Sequence, residues 1–243
     1  MTATTTTTAT PAPAVGLPGL GPLLGLMQLT DSALPTGAFS QSLGFESYLQ
    51  REQIHDEATF GRWLRMFIDQ QLTYTDALAI RLVFAARDFA RIIDIDELAT
   101  VQALPQQIRD GGVTMGRRLL KIGAASYPGD WVLAYAEGVA DGLLQGHQAV
   151  VWAVLARHLG IEQDTAVGAH VYASAMSLTQ NAVRGIPLGQ NAGQRVIHAA
   201  QQWSQRAVEV SRDLEAEDLG AIAPGLEIAQ MNHERQRARL FMS

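Results

Sequence analysis

The side chains that could supply a nucleophile are those of Ser40 and Ser42, which lie in a stretch, residues 34–48, with many turn-forming residues and little charge. A serine nucleophile needs a base in a defined setting, such as a Gly-x-Ser-x-Gly elbow or a Ser-x-x-Lys motif. Neither motif surrounds these serines, and the only lysine of the chain is Lys121. The sequence therefore predicts no catalytic residue here.

A metal site would have to be built from histidine and carboxylate side chains, because the chain has no cysteine. The histidines show no His-x-x-x-His or His-Glu-x-x-His spacing; they are His55, His147, His158, His170, His198 and His233. Asp94, Asp96 and Glu97 could be mistaken for a magnesium site. Acids just before a helix also favour its N-terminal dipole without an ion, and we adopt this interpretation. We predict no metal site and no cofactor.

The composition is that of an ordinary soluble protein. The 243 residues, 47% of them hydrophobic, can bury a substantial core as one domain, or at most two. A formal net charge of −6 weighs against nucleic acid as the main partner. Absence of cysteine suits a reducing cytosol, and we expect a cytoplasmic protein.

The first 22 residues are rich in Thr, Ala and Pro and contain no Lys or Arg. A secretory signal needs a positive n-region, so we interpret residues 1–22 as a disordered leader. The apolar run that follows, residues 17–29, is broken by Pro and Gly and is shorter than the roughly 20 residues that a membrane span requires. We therefore expect no membrane association.

Apolar residues recur at helical period through most of the remaining chain. The clearest helix follows Asp56 as its N-cap, and its apolar face comprises Phe60, Trp63, Leu64, Phe67, Ile68 and Leu72. Further helices are predicted after a cap at Thr75 or Asp76, after Pro105 as N1 residue, and over 131–140, 147–159, 166–183 and 191–212. Nothing indicates strands or a fixed repeat. The sequence predicts an all-α fold, a single irregular helical bundle of about eight to ten helices over residues 23–243.

The stretch 34–48 combines a tight turn with a helix start. Pro35 fixes φ and Gly37 admits a positive φ, and Ser40 is predicted to cap a helix that continues to about Arg51. Gly44 would lie inside that helix, where glycine costs roughly 1 kcal/mol relative to alanine. We therefore expect another part of the chain to approach closely at Gly44.

Three separated segments resemble the UreF family of urease accessory proteins. They are Leu-Pro-Thr-Gly-Ala-Phe-Ser-Gln-Ser-Leu-Gly-Phe-Glu (34–46), Pro-Leu-Gly-Gln-x-x-Gly-Gln-Arg (187–195), and the tail from Met-Asn-His-Glu (231–234) to the apolar end 240–242. The tail combines three arginines with three apolar residues and has no evident way to bury itself, which indicates a docking role.

The resemblance implies an adaptor and chaperone rather than an enzyme. UreF-like proteins form homodimers, join UreD (also called UreH) and the GTPase UreG, and dock on apo-urease (UreABC) so that nickel is inserted when GTP is hydrolysed. The partner-binding residues implied are Phe39, Ser40, Gln41, Gly44, Glu46, Arg184, Pro187, Gly189, Gln190, Arg195, His233, Glu234, Arg239, Leu240 and Phe241. The tail is assigned to UreD, and the loop 184–195 to UreG or the dimer interface.

Two other functions remain open from the sequence. The chain could regulate GTP hydrolysis by UreG directly, with an arginine supplied in trans, an effect of about 10³–10⁵-fold where it operates. It could also be an all-α enzyme with a hydrophobic pocket, which would turn over a small substrate in isolation.

Overall fold

The computed structural model describes residues 19–236 and 239–242, so most of the predicted leader lies outside the described residues. The first helix begins at Leu20, before residue 23, where the sequence predicts the domain to begin. Within the described residues no helix is both long and apolar enough to cross a lipid bilayer.

The described residues form an all-α bundle without strands, as the sequence predicts. The helices are α1 (Leu20–Thr30), α2 (Phe45–Gln50), α3 (Glu57–Phe67), α4 (Leu78–Ala85), α5 (Ala90–Val101), α6 (Gln106–Ser126), α7 (Asp130–Ala140), α8 (Gln148–His158), α9 (Gln163–Gly185), α10 (Gln190–Ser211) and α11 (Pro224–His233). Short 3₁₀ turns occupy Ala38–Ser40 and Ala216–Asp218.

Helices α3 and α4 are joined by a π-helical segment, Ile68–Ala77, into one continuous helix. Asp56 caps its start through a hydrogen bond from the Thr59 amide (2.8 Å), which confirms the predicted cap. The prediction of a new helix capped by Thr75 or Asp76 is wrong. The Thr75 hydroxyl donates to the Gln71 carbonyl (3.0 Å), as a threonine inside a helix does.

Close helix packing explains two of the four glycines of α6. A Cβ atom on Gly116 would lie 2.0 Å from the Gly146 carbonyl oxygen, and one on Gly123 would lie 2.5 Å from the Leu155 side chain. This confirms the predicted role of small residues at those two positions, whereas a Cβ on Gly111 or Gly112 would make only ordinary contacts, at 3.4 and 3.6 Å. Its neighbour α8 is deeply buried, because every residue from Ala149 to Ala156 belongs to the core.

Asp96 has a different role from the one predicted. Helix α5 begins at Ala90, so Asp96 lies inside the helix and not before it, and its carboxylate is fully buried. It accepts hydrogen bonds from the Tyr135 hydroxyl and from three successive backbone amides, those of Gln145 (2.5 Å), Gly146 (3.2 Å) and His147 (2.8 Å). Burial and the adjacent Asp96 charge raise the pKa of Tyr135 well above its usual range. Asp96 therefore holds the backbone of residues 145–147, which lead into α8, in place.

Candidate functional site

The first motif forms a turn followed by the short helix α2. Ser40 ends the 3₁₀ turn, and its hydroxyl donates to the Gly37 carbonyl (2.8 Å), so it does not cap a helix. Helix α2 begins at Phe45, with Gly44 as the preceding residue at φ +101°. Gly44 is therefore required for its positive φ, and the prediction of a mid-helix glycine is wrong. The expected close approach does occur, because a Cβ there would lie 2.8 Å from the Gln230 side chain.

Glu46 on α2 connects this motif to the C-terminal tail. Its carboxylate is 2% exposed and accepts hydrogen bonds from His233 Nε2 (2.9 Å), the Leu240 amide (2.6 Å) and the Phe241 amide (3.2 Å). A carboxylate has about four lone-pair positions, so three donors nearly saturate it. Both Glu46 and His233 are shielded from solvent, which argues for a structural pair and not an acid–base pair that a substrate could reach.

Arg184 is the second connection between the motif and the tail. It lies at the C-terminal end of α9, and its guanidinium donates to the Phe39 carbonyl and to the Asn181 side chain. Its central carbon lies 6.0 Å from the centre of the Phe39 ring and 5.8 Å from that of Phe241. Arg184 thus carries a positive charge between two aromatic rings, an arrangement stabilised by cation–π attraction.

Asn181 also helps to build this site, although the sequence does not predict it. It is fully buried one turn before Arg184, and its amide donates to the Gln41 carbonyl (2.6 Å) and the Ala38 carbonyl (3.4 Å). A buried asparagine inside a helix is the signal that could have drawn attention to it, because such an amide needs partners. Asn181 holds the backbone of the first motif against α9.

The tail is packed against the first motif, so the prediction that it has no way to bury itself is wrong. Phe241 is 8% exposed and lies against Phe45, with ring centres 5.2 Å apart, and the Met242 amide donates to the Ser40 carbonyl (2.8 Å). Leu240 remains 68% exposed and Met242 64% exposed. We call residues 37–46, Arg184 and 233–242 the motif–tail site, within which 237 and 238 are not described.

The predicted residues of the α9–α10 turn, and Arg195, lie outside the motif–tail site. Pro187, Gly189 and Gln190 are exposed in or beside the turn between α9 and α10. Arg195 forms two hydrogen bonds to Glu57 at the start of α3, at 2.9 and 2.6 Å, and this pairing lowers the pKa of Glu57. Glu234 and Arg239 belong to the tail segment but are exposed. The predicted residues therefore divide into two surfaces.

A model of the UreF family matches residues 54–201 of the chain. A urease accessory protein UreF from Kocuria rhizophila is 69% identical over 231 residues, which cover 93% of this chain and 99% of the relative. The chain belongs to the UreF family. Proteins of the same name from Corynebacterium efficiens and Arthrobacter sp. are 56% and 52% identical over 220 residues, 90% of this chain and 96% of each relative.

In this UreF-family chain the match to the family model includes the α9–α10 turn but neither the first motif nor the tail. The long alignments with whole relatives extend beyond it. Within residues 19–236 and 239–242, no group of three or more histidine, aspartate or glutamate side chains is arranged to hold a metal ion.

A buried polar cluster in the centre of the bundle also escaped the sequence analysis. His170 on α9 contacts the Asp76 carboxylate through Nε2 (2.7 Å). Burial opposes ionisation of Asp76, but the His170 hydrogen bond and the His170 and His147 charges outweigh it and lower the pKa of Asp76. Burial lowers the pKa of His147 below its usual 6.5, against the opposing charges of Asp76 and Asp96. The buried position thus disfavours the protonated form of His147.

We expect acidification to destabilise the protein through His147. Its Nδ1 atom accepts from the Ala149 amide (3.3 Å) as the N-cap of α8, and a protonated ring loses that acceptor. Because the folded pKa is depressed, the stability is complete above pH 6.5 and is lost as pH falls from there toward the folded pKa. The free energy of unfolding in urea should therefore fall as the pH is lowered from neutral into the acidic range.

The matched variant is His147→Asn, which keeps a side-chain cap acceptor and does not titrate. Its unfolding free energy should change less over the same pH range than that of the wild type. Equal pH dependence of the two proteins would show that His147 does not cause the loss.

Proposed function

We propose that this chain is a urease maturation adaptor that binds UreD and UreG and acts in the cytoplasm, as a homodimer, so that nickel reaches apo-urease. In this proposal the chain catalyses no reaction itself, and its partners carry out GTP hydrolysis and nickel insertion. Membership of the UreF family supports this role. The buried Glu46–His233 pair also supports it, because neither side chain is accessible to a substrate.

The observation that carries the proposal is an apolar surface at the motif–tail site. Leu240 and Met242 are mostly exposed, while Phe241 between them is buried. The Met242 amide bonds the carbonyl of Ser40, which follows Phe39 in the chain, and Phe39 is itself 52% exposed. Exposed apolar side chains held in place by a buried anchor are typical of a protein interface. Such side chains are already ordered in the free protein, so they lose less conformational entropy when a partner binds. We assign this surface to UreD.

The test uses only the exposed residues of the tail. A Leu240→Ser, Met242→Ser double variant keeps the backbone amides that contact Glu46 and Ser40, so it should fold normally. We expect its affinity for UreD to fall by about 10–100-fold, as for loss of an interface hot spot. The measurement is biolayer interferometry with purified UreD.

The matched control is Leu98→Ser, Val101→Ser, which removes two exposed apolar side chains from α5. It should bind UreD with unchanged affinity. Wild-type affinity of the tail variant would remove the assignment of this surface to UreD. Deletion of the whole tail is a poorer test, because it would also expose Phe45 and leave Glu46 without donors.

We assign the second surface, formed by the α9–α10 turn and Arg195, to UreG. Pro187, Gly189 and Gln190 are exposed there, and Arg195 offers a guanidinium whose present partner, Glu57, is itself half-buried. An exposed arginine pair of this kind exchanges partners at little cost, since such pairs contribute little to stability.

A further inference from the structure

The surface around Arg195 continues into a groove of about 310 Å³ between α3 and α10. Its rim carries three arginines, Arg62, Arg65 and Arg195, and Glu57 is the only acidic residue that lines it. Arg65 and Arg195 are each about two-thirds exposed. Within the described part of the chain the Arg62 guanidinium makes no hydrogen bond or ion pair. Arg65 also pairs with Asp69 (3.4 Å) and Arg195 pairs with Glu57, so three arginines face one acid among the lining residues, and two of these arginines already hold exposed ion pairs.

The floor of the groove is apolar. It is formed by Gly61 on α3 and by Ala199 and the half-buried Trp203 on α10. The lining residues recur at helical spacing on both elements, from Ala58 to Arg65 on one side, so the groove follows about two turns of helix, or roughly 10 Å. An apolar floor with a charged rim matches a segment that carries both apolar and charged side chains.

The space above Gly61 is not filled by any other part of the described structure. Glycine inside a helix weakens it, and a helical glycine is usually explained by a neighbour that leaves no room for a Cβ atom. Here an added Cβ would meet only the Trp203 ring, at 3.9 Å, which is ordinary contact. Gly116 and Gly123 are different, because internal packing excludes a Cβ at each. Internal packing does not require Gly61, so space above it is available to an outside group.

We propose that this groove is the docking site for an acidic amphipathic helix of a partner protein. The partner places an apolar side chain over Gly61 and against Trp203, and its carboxylates pair with Arg62, Arg65 and Arg195. The inference rests on the proposed adaptor function, because the occupant belongs to a maturation partner. It adds the chemistry by which that partner is recognised.

Two other occupants fit the groove less well. A second copy of the chain docking by this face would bring the same arginines toward one another, and like charges at an interface oppose association. A nucleotide phosphate would favour the free N-terminus of α3, but Asp56 and Glu57 already place carboxylates there. The acidic protein segment therefore accounts best for both the rim and the floor.

The experiment measures binding of purified UreD, UreG and apo-urease to full-length variants by biolayer interferometry. Gly61→Leu fills the floor and Gly61→Ala adds only a methyl group. Arg62→Glu, Arg65→Glu reverses the rim, and Arg87→Glu, Arg91→Glu makes the same charge change at two exposed positions outside the groove. Thermal unfolding followed by circular dichroism verifies that each variant is folded.

We expect Gly61→Leu and Arg62→Glu, Arg65→Glu each to weaken binding of one partner by at least about ten-fold, with the two control variants unchanged. Raised salt should lower the affinity of the wild type for that partner. The difference in affinity between the wild type and the rim variant should therefore become smaller. Wild-type binding of all three partners by both groove variants would overturn the inference and leave the adaptor function intact. Failure of the wild type to bind any partner would overturn the adaptor function itself, and the inference with it.

The remaining outcomes also decide the question. If the rim variant loses binding but Gly61→Leu does not, the partner does not place an apolar side chain over Gly61, and that part of the proposal is wrong. An effect confined to GTP-loaded UreG would identify a phosphate as the occupant, and altered self-association in analytical ultracentrifugation would identify a second copy. Either result would contradict the proposal that an acidic helix occupies the groove.

Discussion

Replacement of Glu46 by alanine is expected to lower the free energy of unfolding by about 3–5 kcal/mol, because each buried donor left without an acceptor costs about 1–3 kcal/mol. His233 and the amides of Leu240 and Phe241 would lose their common acceptor in a region closed to water. This is a large fraction of the roughly 5–15 kcal/mol by which domains are stable. Urea unfolding monitored by circular dichroism measures the change.

The same substitution should release the tail. Arg239 is exposed next to the anchored residues, so trypsin should cleave the Glu46→Ala variant faster than the wild type at the C-terminal end. The matched control is Glu234→Ala, which removes an exposed carboxylate at the end of α11 and should change neither quantity. If Glu46→Ala unfolds at the wild-type urea concentration and is cleaved at the wild-type rate, Glu46 does not hold the tail.

Replacement of Asp96 by alanine is expected to be at least as damaging, with a loss of about 4 kcal/mol or more. The carboxylate serves Tyr135 and three consecutive amides, and each buried donor left without an acceptor costs about 1–3 kcal/mol. The loss should free the segment before α8 and expose the core around it. The measurement is again the unfolding free energy in urea.

Two further variants keep this prediction measurable if Asp96→Ala does not fold. Tyr135→Phe removes one of the four donors and should cost about 1–2 kcal/mol. Asp94→Ala removes an exposed acid from the same helix and should be nearly neutral. Equal stability of the Asp96→Ala and Asp94→Ala proteins would contradict the role assigned to Asp96.

Periodicity located most of the helices because burial of an apolar face is a local pattern. For this reason the apolar face from Phe60 to Leu72 and the cap at Asp56 could be predicted from the sequence. Polar residues gave less reliable signals. Thr75 resembles a cap but lies inside a π-helical segment, and Asp96 resembles a helix-dipole residue but binds a distant loop. Thr75 bonds a carbonyl within its own helix, whereas the partners of Asp96 lie on α7 and in the loop before α8, and no local spacing encodes them.

The sequence by itself determined the all-α class, most helix positions and the resemblance of three segments to one family. Only the tertiary structure decided that two of these segments form one site through Glu46 and Arg184, and that Arg195 lies on another surface. His233 and Glu46 are 187 residues apart in the chain, and Arg184 and Phe39 are 145 apart. Apolar periodicity specifies which face of a helix is buried, but the packing of all the helices together specifies which distant polar groups meet.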